Sequence, residues 1–428
     1  MTTAFLSSSF KALKNSSPLF FVWLFSVILI ISRRPDAILN PQFWAEDGAV
    51  WYAEAYNLGG FHSLFLSHSA YFQTFPRLAA ALAQIFPLSL APLIFNLIAI
   101  AIQSLPPVLI TSSRFESLIP SFALRLYLAF LYIGLPSTSE IFANITNSQW
   151  HLALLACLVI LATPNSHMGW RVFDLLIIFL SSLTGPFCII LVPIAAILWW
   201  YTHDRWRLVL LTILGFGAFI QATTVLLYIK ETRALAPLGA SLPLLTKILA
   251  GKVFLAAFVG EKAVVWFCSN QPYYLHVFLP IAITFLGIAL WTGYSGKAPF
   301  ELRLFILFTF AVLVVSLVSP TISEETPQWY TAACRHGAGS RYWFLPKLSF
   351  IATLVWIVSI NKLQAKRLVI TFALVSMLLA ISQWRYGSYP DLNFREYASA
   401  FTQSIKGSKF VIPINPGGWS MILVKKSD

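Results

Sequence analysis

Apolar runs long enough to cross a bilayer recur along the whole chain, and nothing else constrains its fold as strongly. They lie near 18–32, 90–112, 121–136, 150–163, 171–183, 185–201, 207–229, 274–293, 302–319, 342–360 and 368–384, each bounded by polar residues or by Pro and Gly. About 20 apolar residues match the thickness of a hydrocarbon core, so the pattern predicts about eleven transmembrane helices. Composition excludes an ordinary soluble enzyme. Hydrophobic residues make up 58% of the chain and charged residues 11%, whereas about a quarter of a soluble domain is charged. The expected class is an all-α polytopic membrane protein: residues 1–384 form the membrane domain with a first outer loop at 33–89, and 385–428 form a small α+β tail.

The surplus of 29 Lys and Arg over 16 Asp and Glu is spread one to three residues per loop. This reads as a topology signal and as contact with lipid phosphates, not as a nucleic-acid surface. With the N-terminus inside, the short inner loops carry Lys11, Lys14, Arg114, Arg171, Arg205, Arg207, Lys297, Arg303, Lys362, Lys366 and Arg367. The outer face then receives the long segments 33–89, 137–149, 230–273 and 320–341, the tail, and nearly all the acids. The spans read as almost charge-free, apart from Asp174 and Arg125 near their inner ends. Cys157, Cys188, Cys268 and Cys334 show no C-x-x-C spacing, and the histidines lack ligand spacing, so no metal site is expected. No Gly-rich phosphate loop follows a strand, which argues against a nucleotide cofactor. No cofactor is expected, although a metal requirement stays open.

The most informative stretch runs from Asn40 to Gly60. Asn40-Pro41 reads as a helix start and Gly59-Gly60 as its stop, predicting a helix from about Pro41 to Leu58. At helical spacing Asp47, Trp51 and Glu54 share a face, with Glu46 a step around it. Trp44, Trp51, Tyr52 and Tyr56 suit a helix in the headgroup layer. Glu54 reads more simply as a solvating charge, but Glu46-Asp47, set among aromatic and small residues, reads as a functional pair. His62, His68, Tyr71 and Gln73 follow, then a short apolar helix from Pro76 to near Pro87 containing Arg77.

An acidic pair in the first outer loop, directly after the first span and followed by juxtamembrane helices, resembles the GT-C superfamily of membrane glycosyltransferases. Asn147–His151, Thr184–Phe187, Ser340–Pro346 and Pro413–Trp419 look like segments of bacterial members of the type that modify O-antigen, the serotype-converting glucosyltransferases. The resemblance implies transfer of a hexose from a polyprenyl-phosphate donor to a surface glycan or its lipid-linked precursor. It further implies a bacterial inner membrane with the C-terminus periplasmic. Many relatives carry Asp-Asp or Asp-Glu where this chain has Glu46-Asp47, so either residue is open as the base; Asp47 is preferred.

Such chemistry needs a carboxylate within reach of the acceptor hydroxyl and fixed cations where the phosphate leaves. Arg335, His336 and Arg341 lie in a Gly-rich loop at the mouth of a span, with Lys230 and Arg233 in another outer loop as second choices, together with Lys247 and Lys252. Arg341 reads equally well as an anchor that snorkels beside Tyr342 and Trp343. Arg33 and Arg34, lying outside against the charge pattern, are further candidates for phosphate or anionic lipid. Trp44, Trp51, Glu54, Asn147, Gln149 and His151 are candidate sugar contacts. The expected partners are the donor, the glycan acceptor and membrane lipids. A flippase for lipid-linked sugars and a glycan polymerase are the alternative functions. The tail predicts a helix around Phe394 to Ile405 and two short strands about a Pro/Gly turn, too small to bury a core alone.

Overall fold

The computed structural model describes residues 2–228, 236–270, 274–294, 296–360 and 365–426. The chain is mostly helical, and each of the apolar runs falls on a helix. Among the described residues, five helices are long and apolar enough to cross a membrane: Leu88–Thr111, Arg205–Tyr228, Leu275–Tyr294, Phe300–Val318 and Ser340–Ser359. Pro18–Arg33, Phe122–Gly134, Ser148–Leu161, Phe187–Thr202 and Ala373–Ser382 are apolar but shorter. The long helices keep apolar side chains outward, among them Phe216, Phe219, Leu226 and Leu290. In water that surface would be an aggregating patch; in lipid it is solvated.

Helix Ser148–Leu161 is the centre of the molecule, with every residue buried. From Leu152 onward its residues are apolar all round, so no face of that stretch belongs to solvent. Fourteen residues span roughly 20 Å at 1.5 Å per residue, and the two ends meet different chemistry. Beyond the C-terminal end, Arg114 donates to the Thr163 carbonyl and Arg207 to that of Ala162. At the same end Arg114 grips both oxygens of Asp174, at 2.6 and 3.1 Å, with both side chains buried. Arg125 donates to the Ser112 carbonyl nearby. The charges noticed inside the spans are thus braces. The N-terminal end holds the acidic segment.

That segment departs from the predicted helix. Residues 41–45 are not helical; Asp47–Tyr52 is a π-helix and Ala53–Leu58 an α-helix. The cause is a set of partners far away in sequence. Trp44 bridges Asn415, and the Ala45 amide donates to the Asn415 carbonyl at 2.5 Å with Ala45 left-handed at φ 44°. Gln42 donates to Asp391 at 2.9 Å, and the Phe43 ring packs on Tyr52, Phe95 and Phe394. Unwound turns of this kind concentrate where side chains are being aimed at a site.

The tail forms as predicted, with helix Phe394–Thr402 and antiparallel strands Lys409–Ile414 and Trp419–Val424. It is bound to the acidic segment: Asn57 donates to the Ile422 carbonyl and accepts from the Val424 amide, and Tyr56 packs edge-on against Phe401. Arg33 and Arg34 do not reach lipid, because both are buried. Arg33 donates to the Leu135 and Trp384 carbonyls and lies over the Tyr386 ring; Arg34 donates to the Ser139 carbonyl and lies over Tyr389.

After the acidic segment the chain makes a small hairpin, Ser67–His68 against Tyr71–Phe72, which the sequence did not signal, and then helix Thr74–Ala83. The hairpin is fastened to the helical core where the Gly185 amide donates to the Phe72 carbonyl and Gln73 bridges Thr184. Gly185 sits at φ +80°, and a Cβ there would lie 2.5 Å from Gln149 Oε1. Gly185→Ala is therefore expected to cost about 1–3 kcal/mol, read as a lower unfolding midpoint in detergent; an unchanged midpoint would show that this fastening is dispensable.

Candidate functional site

Asp47 opens the π-helix and is almost fully buried. Its Oδ1 accepts from the Thr146 amide at 2.8 Å and the Thr146 hydroxyl at 2.6 Å, and its Oδ2 from the Ile145 amide at 3.1 Å. The same hydroxyl accepts from Trp51 Nε1 at 2.9 Å, so the shared face of Asp47 and Trp51 converges on Thr146. Burial outweighs these bonds and pushes the Asp47 carboxyl from 3.8 up to about 7, with the Glu46 charge adding in the same direction. Three donors nevertheless leave Asp47 little room to take a proton from a substrate.

The raised value carries a sign. Below the unfolded-state pKa both states are protonated. As pH rises towards 7 the unfolded chain ionises first and gains on the folded one, so the Asp47 contribution to stability is complete below about 3.8 and lost through about 7. Wild type should therefore gain unfolding midpoint over Asp47→Asn on going from pH 8 to pH 5. A difference independent of pH would refute the buried, weakly acidic carboxyl.

Glu46 is the contrasting group. It is half-buried and accepts no hydrogen bond from the described residues. Its charge reaches Asp47, His68, Tyr71 and Arg341. Tyr71 comes from the hairpin, bonds Gln149, and has its phenol pushed up to about 12 by burial. It is a neutral hydroxyl donor at any physiological pH. His68 packs edge-on against Trp51 at 5.1 Å, and burial holds its imidazole below its usual value in spite of Glu46 and Glu54. On Trp51 also lies the buried Arg77, which binds Glu54 at 2.7 Å. Glu54 is thus the partner of an arginine and not a solvating charge.

Arg341 does not snorkel. Its guanidinium binds Glu140, donates to the Thr321 carbonyl at 2.8 Å and lies over its neighbour Tyr342. Glu140 also accepts from the Ser340 hydroxyl at 2.7 Å. One loop therefore sets the geometry: Ser137 meets Glu261, Glu140 meets Arg341, and Ile145 with Thr146 meet Asp47.

The other candidates fall elsewhere. Arg335 and His336 are exposed; the Arg335 carbonyl accepts from Lys252 and its amide donates to the Thr331 carbonyl. Asn147 is turned into its own loop, donating to the Glu140 carbonyl and to Asn144. His151 is enclosed with Tyr132, Phe142 and Phe344, its Nδ1 2.6 Å from the Tyr132 hydroxyl. Those two brace the core. Gln149 does reach the site through Gln73 and Tyr71, and Trp44 stacks on Tyr389 at 4.7 Å beside it. Lys230 and Arg233 lie outside the described residues. No group of three His, Cys, Asp or Glu able to hold a metal occurs among the described residues.

Comparison with known proteins finds no matching family model, no similar curated protein and no similar solved structure. The cluster itself gathers, among the described residues, one carboxylate that accepts no hydrogen bond, a phenol, an imidazole held below its usual pKa by burial and a guanidinium paired with Glu140. Tyr71 had a weak sequence signal, as one polar residue among several; outside the cluster, Lys347, buried inside Ser340–Ile360, corrects the reading of a charge-free span. Its signal was a lone lysine in an apolar helix.

Proposed function

We propose that the protein is a membrane glycosyltransferase of GT-C type that moves a hexose from a polyprenyl-phosphate donor to a glycan on the outer face of a bacterial inner membrane. About eleven spans, a cytoplasmic N-terminus and a periplasmic C-terminus belong to the same proposal. The observation that carries it is Glu46, a carboxylate that accepts no hydrogen bond from the described residues and whose charge acts on Tyr71 and Arg341. In this reading Glu46 takes the proton from the acceptor hydroxyl as that oxygen attacks the anomeric carbon, and the bond to phosphate breaks. Asp47 keeps the segment in register through Thr146, Tyr71 orients a sugar hydroxyl, and Arg341 offsets negative charge on the donor. Glu46 therefore replaces Asp47 as the preferred base. The test is sugar transfer by purified protein in lipid, with a radiolabelled polyprenyl-phosphate hexose and glycan acceptors, comparing wild type with Glu46→Gln. Translocation of the donor without transfer would refute the proposal.

A further inference from the structure

At the end of helix Ser148–Leu161 away from the acidic segment lies a cavity of about 410 Å³. Helix Phe122–Gly134, the C-terminal half of Ser148–Leu161, the first turns of Phe300–Val318 and the second half of Ser340–Ile360 enclose it, with the segment 110–120 completing the wall. Its sides are apolar, formed by side chains such as Leu128, Leu158, Phe305 and Ile351. One end is blind. There the buried Leu131, Tyr132 and Leu154 close it, and behind Tyr132 the buried rings of Phe142, His151 and Phe344 pack together. At the other end Pro120, Ser121 and Ser359 are exposed, so the mouth opens away from the acidic segment.

Water does not suit this space, because a buried water needs several polar partners. Tyr132 commits its hydroxyl to the Gln103 carbonyl and His151, Ser121 accepts from the Leu124 amide, and Ser359 donates to the Trp356 carbonyl. The charged residue of the lining is Glu301, at the mouth. It is half-buried, and among the described residues it accepts no hydrogen bond and makes no ion pair, although its charge reaches Arg207. An apolar cavity of about 150 Å³ takes a benzene ring; on that scale 410 Å³ holds about 16 carbon atoms. Left empty, so large a space would forfeit the dispersion contacts of its whole lining. A chain of palmitoyl length fills it, and the carboxylate at the mouth favours a head that carries an ammonium group. Glu301 also lies in the first turn of its helix, where an acid suits the helix dipole; that role needs no ligand, and the experiment below separates the two.

We propose that this cavity binds one acyl chain of an amine-headed phospholipid, with the ammonium group on Glu301. The lipid enters from the leaflet at the far end from Glu46 and Arg341. It is distinct from the sugar donor, since the blind end gives a chain held at Arg341 no way in. The inference stands whether or not the protein transfers sugar, so binding is measured without transfer. The full chain is kept in a sterol-based neutral detergent, which brings no alkyl chain of its own. The probes are palmitoyl lysophosphatidylethanolamine, palmitoyl lysophosphatidylglycerol and farnesyl phosphate.

The ethanolamine lipid should raise the unfolding midpoint of wild type and bind about tenfold or more tightly than the glycerol lipid, the worth of one charged hydrogen bond. No shift with the ethanolamine lipid would overturn the proposal outright. Ala352→Phe, which puts a ring into the cavity, should abolish the shift, while its ligand-free midpoint stays level or rises because the void is smaller. A shift that survives in this variant would overturn the site. Glu301→Gln should weaken the ethanolamine lipid about tenfold and leave the glycerol lipid unchanged; a purely helix-capping acid would lower the ligand-free midpoint and alter neither affinity. Equal affinity of wild type for the two lysolipids would overturn the head assignment, and tighter binding of farnesyl phosphate would overturn the acyl chain. Should Ala352→Phe fail to fold, Glu301→Gln decides alone, and undiminished binding of the ethanolamine lipid then refutes the proposal.

Discussion

Glu46→Gln is expected to lower sugar transfer by about 10² to 10⁴, the usual contribution of a general base, while the unfolding midpoint stays near that of wild type. The two halves of this result have separate causes. Glutamine keeps the size and an acceptor oxygen but cannot take a proton at neutral pH. Stability is spared because Glu46 is half-exposed and accepts no hydrogen bond from the described residues. Asp47→Asn provides the contrast: it disturbs a carboxylate that holds Ile145 and Thr146 in place, so its activity and its stability should fall together. Transfer by Glu46→Gln within a factor of about three of wild type, a change too small for loss of a base, would return the role to Asp47 or deny the site a base altogether.

At the opposite end of the molecule, Asp174→Ala is expected to cost about 3–5 kcal/mol of stability, because it strands a buried guanidinium. Arg114 meets Asp174 through two nitrogens, Trp206 donates to the same carboxylate at 3.1 Å, and Trp170 lies against Arg114 at 5.1 Å. Both side chains are about 1% exposed, so bulk solvent cannot take the lost partner's place. The double change Arg114→Met with Asp174→Leu should recover most of the loss, since removing both charges of a buried pair is often neutral. Unfolding followed in detergent distinguishes the cases. A single variant that melts like wild type would mean that the pair is hydrated and contributes little.

Much of the architecture was legible because it rests on local pattern. The apolar runs became helices, and the tail's helix and two strands formed where Phe394, the 413–418 turn and the flanking apolar residues indicated. The pairing of Glu46 with Asp47 was equally visible, being a rare charged dipeptide among aromatic residues. What failed was the start of its helix. Asn40-Pro41 is a sound start signal, yet residues 41–45 do better by pairing with Asn415, by burying Phe43 against Phe394 and by binding Asp391 through Gln42. No local propensity scale contains a partner more than three hundred residues away.

The same division holds at the site. By itself the sequence determined that the chain is built of apolar helices, that its acids collect in the segments between them, and that one acidic pair sits beside aromatic residues after the first helix. Tertiary structure alone decided which acid is free. Thr146, 99 residues from Asp47 in the chain, takes up that carboxylate, Glu140 takes up Arg341 across 201 residues, and among the described residues Glu46 is left without a donor. Hydropathy is additive along a helix and can be read from composition. The assignment of each donor to one acceptor depends on which groups the fold brings within about 3 Å.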